Sequence, residues 1–301
     1  MIRISTLSAL AIGAALLLGI SAVQPALATP PQVTLLAASN ISNNFSPAFR
    51  EASGLGMAKN ETKMWSISDE NFTIYKMNLD GSAASSFVPT RANSGVSIVS
   101  NPDFEGVTFG PPIAGSTDDH FIYLVNEAAN AILPVNYSTG KYYNQVPLSS
   151  MSGYNSVTCD GNGTTVKSEF DSSDPNSGLE GITWDGSSFF VIKEKGPGLM
   201  IKISANLSTI TACKVLTFSG QDYSDISYDS TRQRFWIVSD EASSLYLFDW
   251  NTNTSEHTYP LGYTNGEGVA FNPDDQGHQM LYIATDNGSS SDSYLYTYIV
   301  H

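Results

Sequence analysis

Five stretches of the 301-residue chain open on a serine or a glutamate, and in four of them glycine follows at once: Ser53-Gly54, Glu105-Gly106, Glu180-Gly181 and Glu267-Gly268, with Ser224-Asp225 as the exception. Each stretch then reaches a second polar position at Asp69, Asn126, Glu194, Asp240 or Asp286, and Glu70, Glu127 and Glu241 stand one step further on. Brought together, so many carboxylates call for a cation. Two of them about 6 Å apart repel by roughly 3 kcal/mol at an effective dielectric near 20. Hard oxygen donors without cysteine or clustered histidine suit calcium better than zinc or copper. The expected metal ligands are therefore Glu105, Glu180, Glu267, Asp69, Glu194, Asp225, Asp240 and Asp286. Glu51, Glu70, Glu127, Lys193, Lys195 and Glu241 flank them as ligand-binding candidates, and the two lysines are an alternative source of neutralising charge. A structural role competes with this expectation, because such acids also accept backbone N–H bonds at blade seams and cap loops.

Other catalytic signatures are missing from the sequence. It has no G-x-S-x-G, no P-loop and no H-E-x-x-H. His120, His257, His278 and His301 stand beside neither a repeated acid nor a nucleophile motif. Asn272-Pro273-Asp274-Asp275-Gln276-Gly277 faintly resembles a calcium loop, but Ile283 occupies the twelfth place where glutamate belongs, so a hairpin turn is expected.

The elements that carry the two columns repeat. In the second stretch Glu105-Gly106-Val107-Thr108-Phe109 precedes Ile122-Tyr123-Leu124-Val125-Asn126 and then Ala131-Ile132-Leu133-Pro134-Val135; the other four keep the same order. Each reads as strand, turn, strand, loop, strand. A unit of three or four short strands cannot bury both faces alone, and radial stacking solves that problem. The third, fourth and fifth stretches open 44 and 43 residues apart, close to a four-stranded blade. The expected fold is all-β, a five-bladed β-propeller with both polar columns at one mouth of its axis. Ser149 to Ser177 is read as an inserted loop, a sixth blade being the alternative. The last unit has three strands before the chain stops, so Val33-Thr34-Leu35-Leu36 is expected to pair with Leu295 to Val300 and close the ring. Glycine after the first column suits strands crowded round an axis.

Met1 and Arg3 precede an uncharged apolar run from Leu7 to Val23 and then Ala26-Leu27-Ala28, as in a secretory leader cleaved before Thr29. An uncleaved anchor is the alternative. Residues 29–301 are then a single propeller domain, periplasmic or extracellular, with no membrane-crossing segment. Cys159 and Cys213 can form one disulfide in such a compartment, or remain two thiols. With 14 Lys and Arg against 29 Asp and Glu, the net charge of −15 would repel nucleic acid.

Taken together, Glu51-Ala52-Ser53-Gly54-Leu55, Phe104-Glu105-Gly106-Val107, Leu179-Glu180-Gly181-Ile182 with Lys193-Glu194-Lys195, Ser224-Asp225-Ile226 with Val238-Ser239-Asp240-Glu241, and Gly266-Glu267-Gly268-Val269 resemble the SdiA-regulated (YjiK/CarP) family of periplasmic β-propellers. The resemblance spans Glu51 to the C-terminus. It implies an exported propeller, a link to calcium and a distant relation to propeller phytases and esterase-like enzymes. The long insertion around Cys159 departs from the family's compact blades. The function expected is a monomeric calcium-binding platform for a small anionic ligand or a partner protein, and the alternative is a calcium-dependent phosphoester or ester hydrolase.

Overall fold

Runs of β-branched and aromatic residues separated by Asp, Asn, Ser and Gly fold here as short antiparallel strands. The computed structural model describes residues 29–301 apart from 46–47, 58–61, 70, 98, 101, 172–176, 219–221, 274–275 and 289–291. The expected leader and Glu70 lie outside the described residues. Among the described residues the strands form five sheets arranged as the blades of a propeller. Blade 1 runs Leu55–Gly56, Lys63–Ser68, Asn71–Asn78 and Ala83–Phe87. Blade 2 is built on Phe104–Phe109, Phe121–Asn126 and Ala131–Asn136, its outer edge split between Lys141–Tyr142 and Val146–Pro147. Blade 3 comprises Leu179–Trp184, Ser188–Lys193, Leu199–Ser204 and Ile210–Val215. Blade 4 comprises Asp225–Asp229, Arg234–Ser239, Ser244–Asp249 and Thr254–Pro260. Blade 5 takes Gly266–Pro273, Gln279–Thr285 and Tyr294–Val300 from the end of the chain and Val33–Asn40 from its beginning. This closing strand pairs antiparallel from Val33 with Val300 to Asn40 with Tyr294, as expected from the sequence.

Among its described residues the segment read as an insertion builds no sixth blade. It adds Cys159–Asp160 parallel to the outer strand of blade 3, setting Cys159 against Cys213, and the two are joined as a disulfide. The helix Val166–Asp171 follows. Val166, Met151 and Leu148 pack into the core shared by blades 2 and 3.

Two details of the fold set the axis. Each axial glycine lies against the backbone of the next blade: a Cβ on Gly106 would come within 2.5 Å of the Glu180 carbonyl, on Gly181 within 2.7 Å of the Asp225 Cα, and on Gly54 within 2.7 Å of the Glu105 carbonyl. The turns at the far end from the acidic columns use aspartate and asparagine as caps. Asp80, Asn136, Asp185, Asn206, Asp229 and Asp249 each accept the N–H two residues on, at 2.7–3.2 Å. The calcium-loop-like stretch joins two paired strands of a hairpin, Gly266–Pro273 and Gln279–Thr285, with residues 274–275 outside the described set.

Candidate functional site: an acidic mouth

Glu105 and Glu267 are the extra residues of β-bulges. Phe104 and Gly106 pair with the adjacent residues Asn126 and Val125, which leaves Glu105 without an opposite number, and Gly266 and Gly268 do the same around Glu267. In blade 3 the register slips between Leu179 and Ile182, the step that holds Glu180 and Gly181. A bulge bends the strand and re-aims a side chain. The three glutamates converge: Glu105 and Glu267 both raise the pKa of Glu180, and Glu267 also raises that of Glu105. Burial is the first cause in every case, and it holds Glu105 and Glu180 well above the usual carboxylate range. Glu267 is pushed up to about 8 by burial, with Asp240, Asp222 and Asp286 adding repulsion.

The second column rings this centre. Carboxylate oxygens of Glu127, Glu180 and Glu194 lie within 4.8 Å of one another, and those of Asp103, Glu105 and Glu127 form an adjoining group with the same spacing. Glu127 is anchored by the N–H of Gly178 at 2.8 Å on Oε1, and burial raises its pKa. Glu194 is 8% exposed. Its Oε1 accepts from the Lys195 ammonium, while its Oε2 is buried with no hydrogen-bond partner among the described residues. Burial, together with Asp222 beside it, pushes the Glu194 pKa up to about 7. Two carboxylates are both acceptors, so Glu194 and Asp222 can bond to each other only by sharing a proton. Asn126, 1% exposed, likewise has an unpartnered Oδ1.

Not every residue singled out in the sequence is used in this way. Asp225, placed among the metal ligands, is fully buried on the axis, and its Oδ2 accepts the N–H of Val269 at 2.8 Å and of Leu55 at 3.2 Å. It ties blade 4 to blades 5 and 1. Lys193, placed among the ligand-binding groups, is also fully buried, and its ammonium donates to the carbonyls of Lys195 and Pro197. Both thus bond backbone groups, while the Oδ1 of Asp225 is buried with no hydrogen-bond partner among the described residues. Asp240 spends Oδ1 on the N–H of Asn265 and Asp286 on that of Gly288, both at 2.6 Å, so these two brace loops while remaining charges near Glu267. Asp69 adds to the field on Glu105. Glu51 is half-buried at the entry to blade 1, and Glu241 is exposed near Asp240 and Lys195.

Two members of the site escaped the sequence reading, Asp103 and Asp222. Each stands two residues before a first-column position, and so do Glu51 and Asn265. Period two along an extended chain puts them on the same side as the column. That offset was the available signal.

Residues 162–283 match the family described as SdiA-regulated, the family the motifs resemble. No curated protein sequence matches the chain. Among solved structures, Myxococcus xanthus glutaminyl cyclase superposes with a TM-score of 0.56 at 9% identity, over 91% of this chain and 100% of that one. A luciferin-regenerating enzyme superposes with a TM-score of 0.48 at 12% identity, over 89% and 95% respectively. At such identity the first of these supports the fold alone.

Proposed function

We propose, for a five-bladed propeller whose residues 162–283 match the SdiA-regulated family, that the protein is an exported binding platform whose acidic mouth takes a calcium ion. Through that ion it holds a small anionic ligand or an acidic group of a partner protein. One observation carries this reading. Glu127, Glu180 and Glu194 bring carboxylate oxygens within 4.8 Å, and the buried Oε2 of Glu194 has no hydrogen-bond donor among the described residues. An all-oxygen donor set of this kind fits a hard divalent cation, with water and ligand completing the shell. Bound there, the ion would supply an exposed positive charge in an otherwise repulsive cleft. Export is supported by the leader-like N-terminus and by the Cys159–Cys213 disulfide, which persists in oxidising compartments. Among the described residues no helix is long and apolar enough to cross a membrane.

A binding role is preferred to phosphoester hydrolysis because the lysines at hand are committed. Lys193 is buried among carbonyls, and Lys195 bonds Glu194 with Asp222 at 3.7 Å. A phosphate-binding site normally presents free cationic donors. The test is thermal unfolding of the purified protein in chelator, in millimolar calcium and in magnesium. A site filled to about 100 times its dissociation constant adds roughly 2.7 kcal/mol, a rise of roughly 5–11 °C at about 2–4 °C per kcal/mol. The double variant Glu180→Gln/Glu194→Gln is expected to lose that rise. An unchanged midpoint in calcium would overturn the reading.

A further inference from the structure

The inner strands finish as uniformly as they start. Four residues beyond the first column stand Met57, Phe109, Trp184, Tyr228 and Phe271, about 13 Å from the carboxyls at roughly 3.3 Å per residue. A cavity of about 660 Å³ opens among them, and all five blades contribute to its wall. That volume lies in the range of about 300–1,000 Å³ usual for small-molecule sites. Its wall is fixed by bonds between blades: the Thr183 hydroxyl accepts the Tyr228 N–H at 3.0 Å, and the Ser227 hydroxyl accepts the Phe271 N–H at 2.9 Å.

The rings are held by aromatic neighbours. Phe109 packs on Trp65 and Tyr137, Trp184 on Phe189, and Tyr228 on Phe235, yet Phe109, Trp184 and Tyr228 remain half-buried and line the cavity. The charged residues of the wall are Asp119 and Asp185, and among the described lining residues none is Lys, Arg or His. Asp185 holds the N–H groups of Ser187 and Ser188 on Oδ1, both at 2.7 Å. Burial and the charges of Asp185 and Asp229 raise the Tyr228 pKa, so its phenol stays neutral.

We infer that this cavity binds a small organic monocation, an ammonium group carried on an aromatic body. The faces of Trp, Tyr and Phe rings attract a cation through their quadrupole. The two carboxylates and the net charge of −15 add to that attraction and repel anions. A neutral molecule of the same shape would gain only the apolar contact. This site is independent of the acidic mouth and of any metal there.

The test is calorimetric titration of the purified full-length protein, kept in chelator, with benzyltrimethylammonium. Benzyl alcohol, benzoate and methyl glucoside serve as neutral, anionic and sugar probes. The cation is expected to bind saturably and about tenfold or more tighter than benzyl alcohol, with benzoate weakest. Asp185→Asn keeps the Oδ1 acceptor that the turn needs and removes the charge. It should weaken the cation about threefold to tenfold and leave benzyl alcohol unchanged. Trp184→Leu should weaken both, with its unfolding midpoint checked separately. Equal affinity for the cation and benzyl alcohol, preference for the glucoside or benzoate, an Asp185→Asn variant that binds as the parent does, or no saturable heat would each overturn the inference.

Discussion

At the two ends of the axis the same five inner strands use polar groups differently. Where the inner strands finish, Thr183 and Ser227 accept backbone N–H bonds from the next blade, and Asp185 and Asp229 cap their turns. Where the strands begin, bulges lift Glu105 and Glu267 out of the ladder, and Glu194 is buried with one oxygen unpartnered. A buried polar group without a partner costs free energy, and several of one sign raise one another's pKa. The end where the strands finish is a fixed wall that can receive a ligand without rearranging. The end where they begin is a set of groups waiting for protons or a cation.

The largest effect is expected at Asp225, the residue between the two regimes. Asp225→Ala would orphan the N–H groups of Leu55 and Val269 at about 1–3 kcal/mol each, lowering stability by about 2–6 kcal/mol. Asp225→Asn keeps an acceptor and should cost under about 1 kcal/mol, because burial already holds this carboxyl well above its usual pKa. Chemical denaturation of the pair checks this. If both variants unfold alike, the axial tie is wrongly drawn.

Next in size is the calcium response, about 3 kcal/mol at saturation. Because Glu194 and Glu267 are raised to about 7 and about 8, calcium must displace protons, and its affinity should climb as pH rises from 6 to 9. Calorimetry in buffers of different ionisation enthalpy would show the released protons. Binding without proton release at pH 6.5 would contradict the raised values.

Without metal, the same shifts fix the sign of the pH dependence. Carboxyls raised in the folded state contribute stability that is complete below about pH 4.5. That contribution is lost as pH rises through about 7 and about 8, so the metal-free midpoint should fall across this window. Glu194→Gln should flatten the fall and stabilise the metal-free protein at pH 8 by about 1–2 kcal/mol. A midpoint that climbs over the same range would remove the distinction between the two ends. The smallest effect belongs to the end where the strands finish: Asp185→Asn should alter stability by under about 0.5 kcal/mol, since Oδ1 keeps its turn bonds. Thermal scans of the variant measure it.

Much of this architecture was legible in the sequence. The blade count followed from the repeated order of glutamate or serine, glycine and aromatic residues, and the closing strand from a fifth unit one strand short. The axial glycines announced crowding, which the Gly106 and Gly181 contacts bear out. Lys193 and Lys195 looked equivalent, as alternate residues do, yet one is buried under carbonyls and the other bonds Glu194 at the mouth. Cys159 and Cys213 are 54 residues apart, and only the parallel pairing of their strands makes them neighbours.

The sequence by itself determined the periodic features: how many blades there are, which strand closes them, and that two acidic columns share one end. Those follow from local pattern, since strand period and turn chemistry are written in neighbouring residues. The tertiary structure decided how each acid is used. Whether a carboxyl meets a backbone N–H from another blade, as Asp225 does, or is crowded by other carboxyls, as Glu180 is, depends on bulges and on chain segments up to 170 residues away. Partners at that range are set by how the blades close round the axis, which no local pattern encodes.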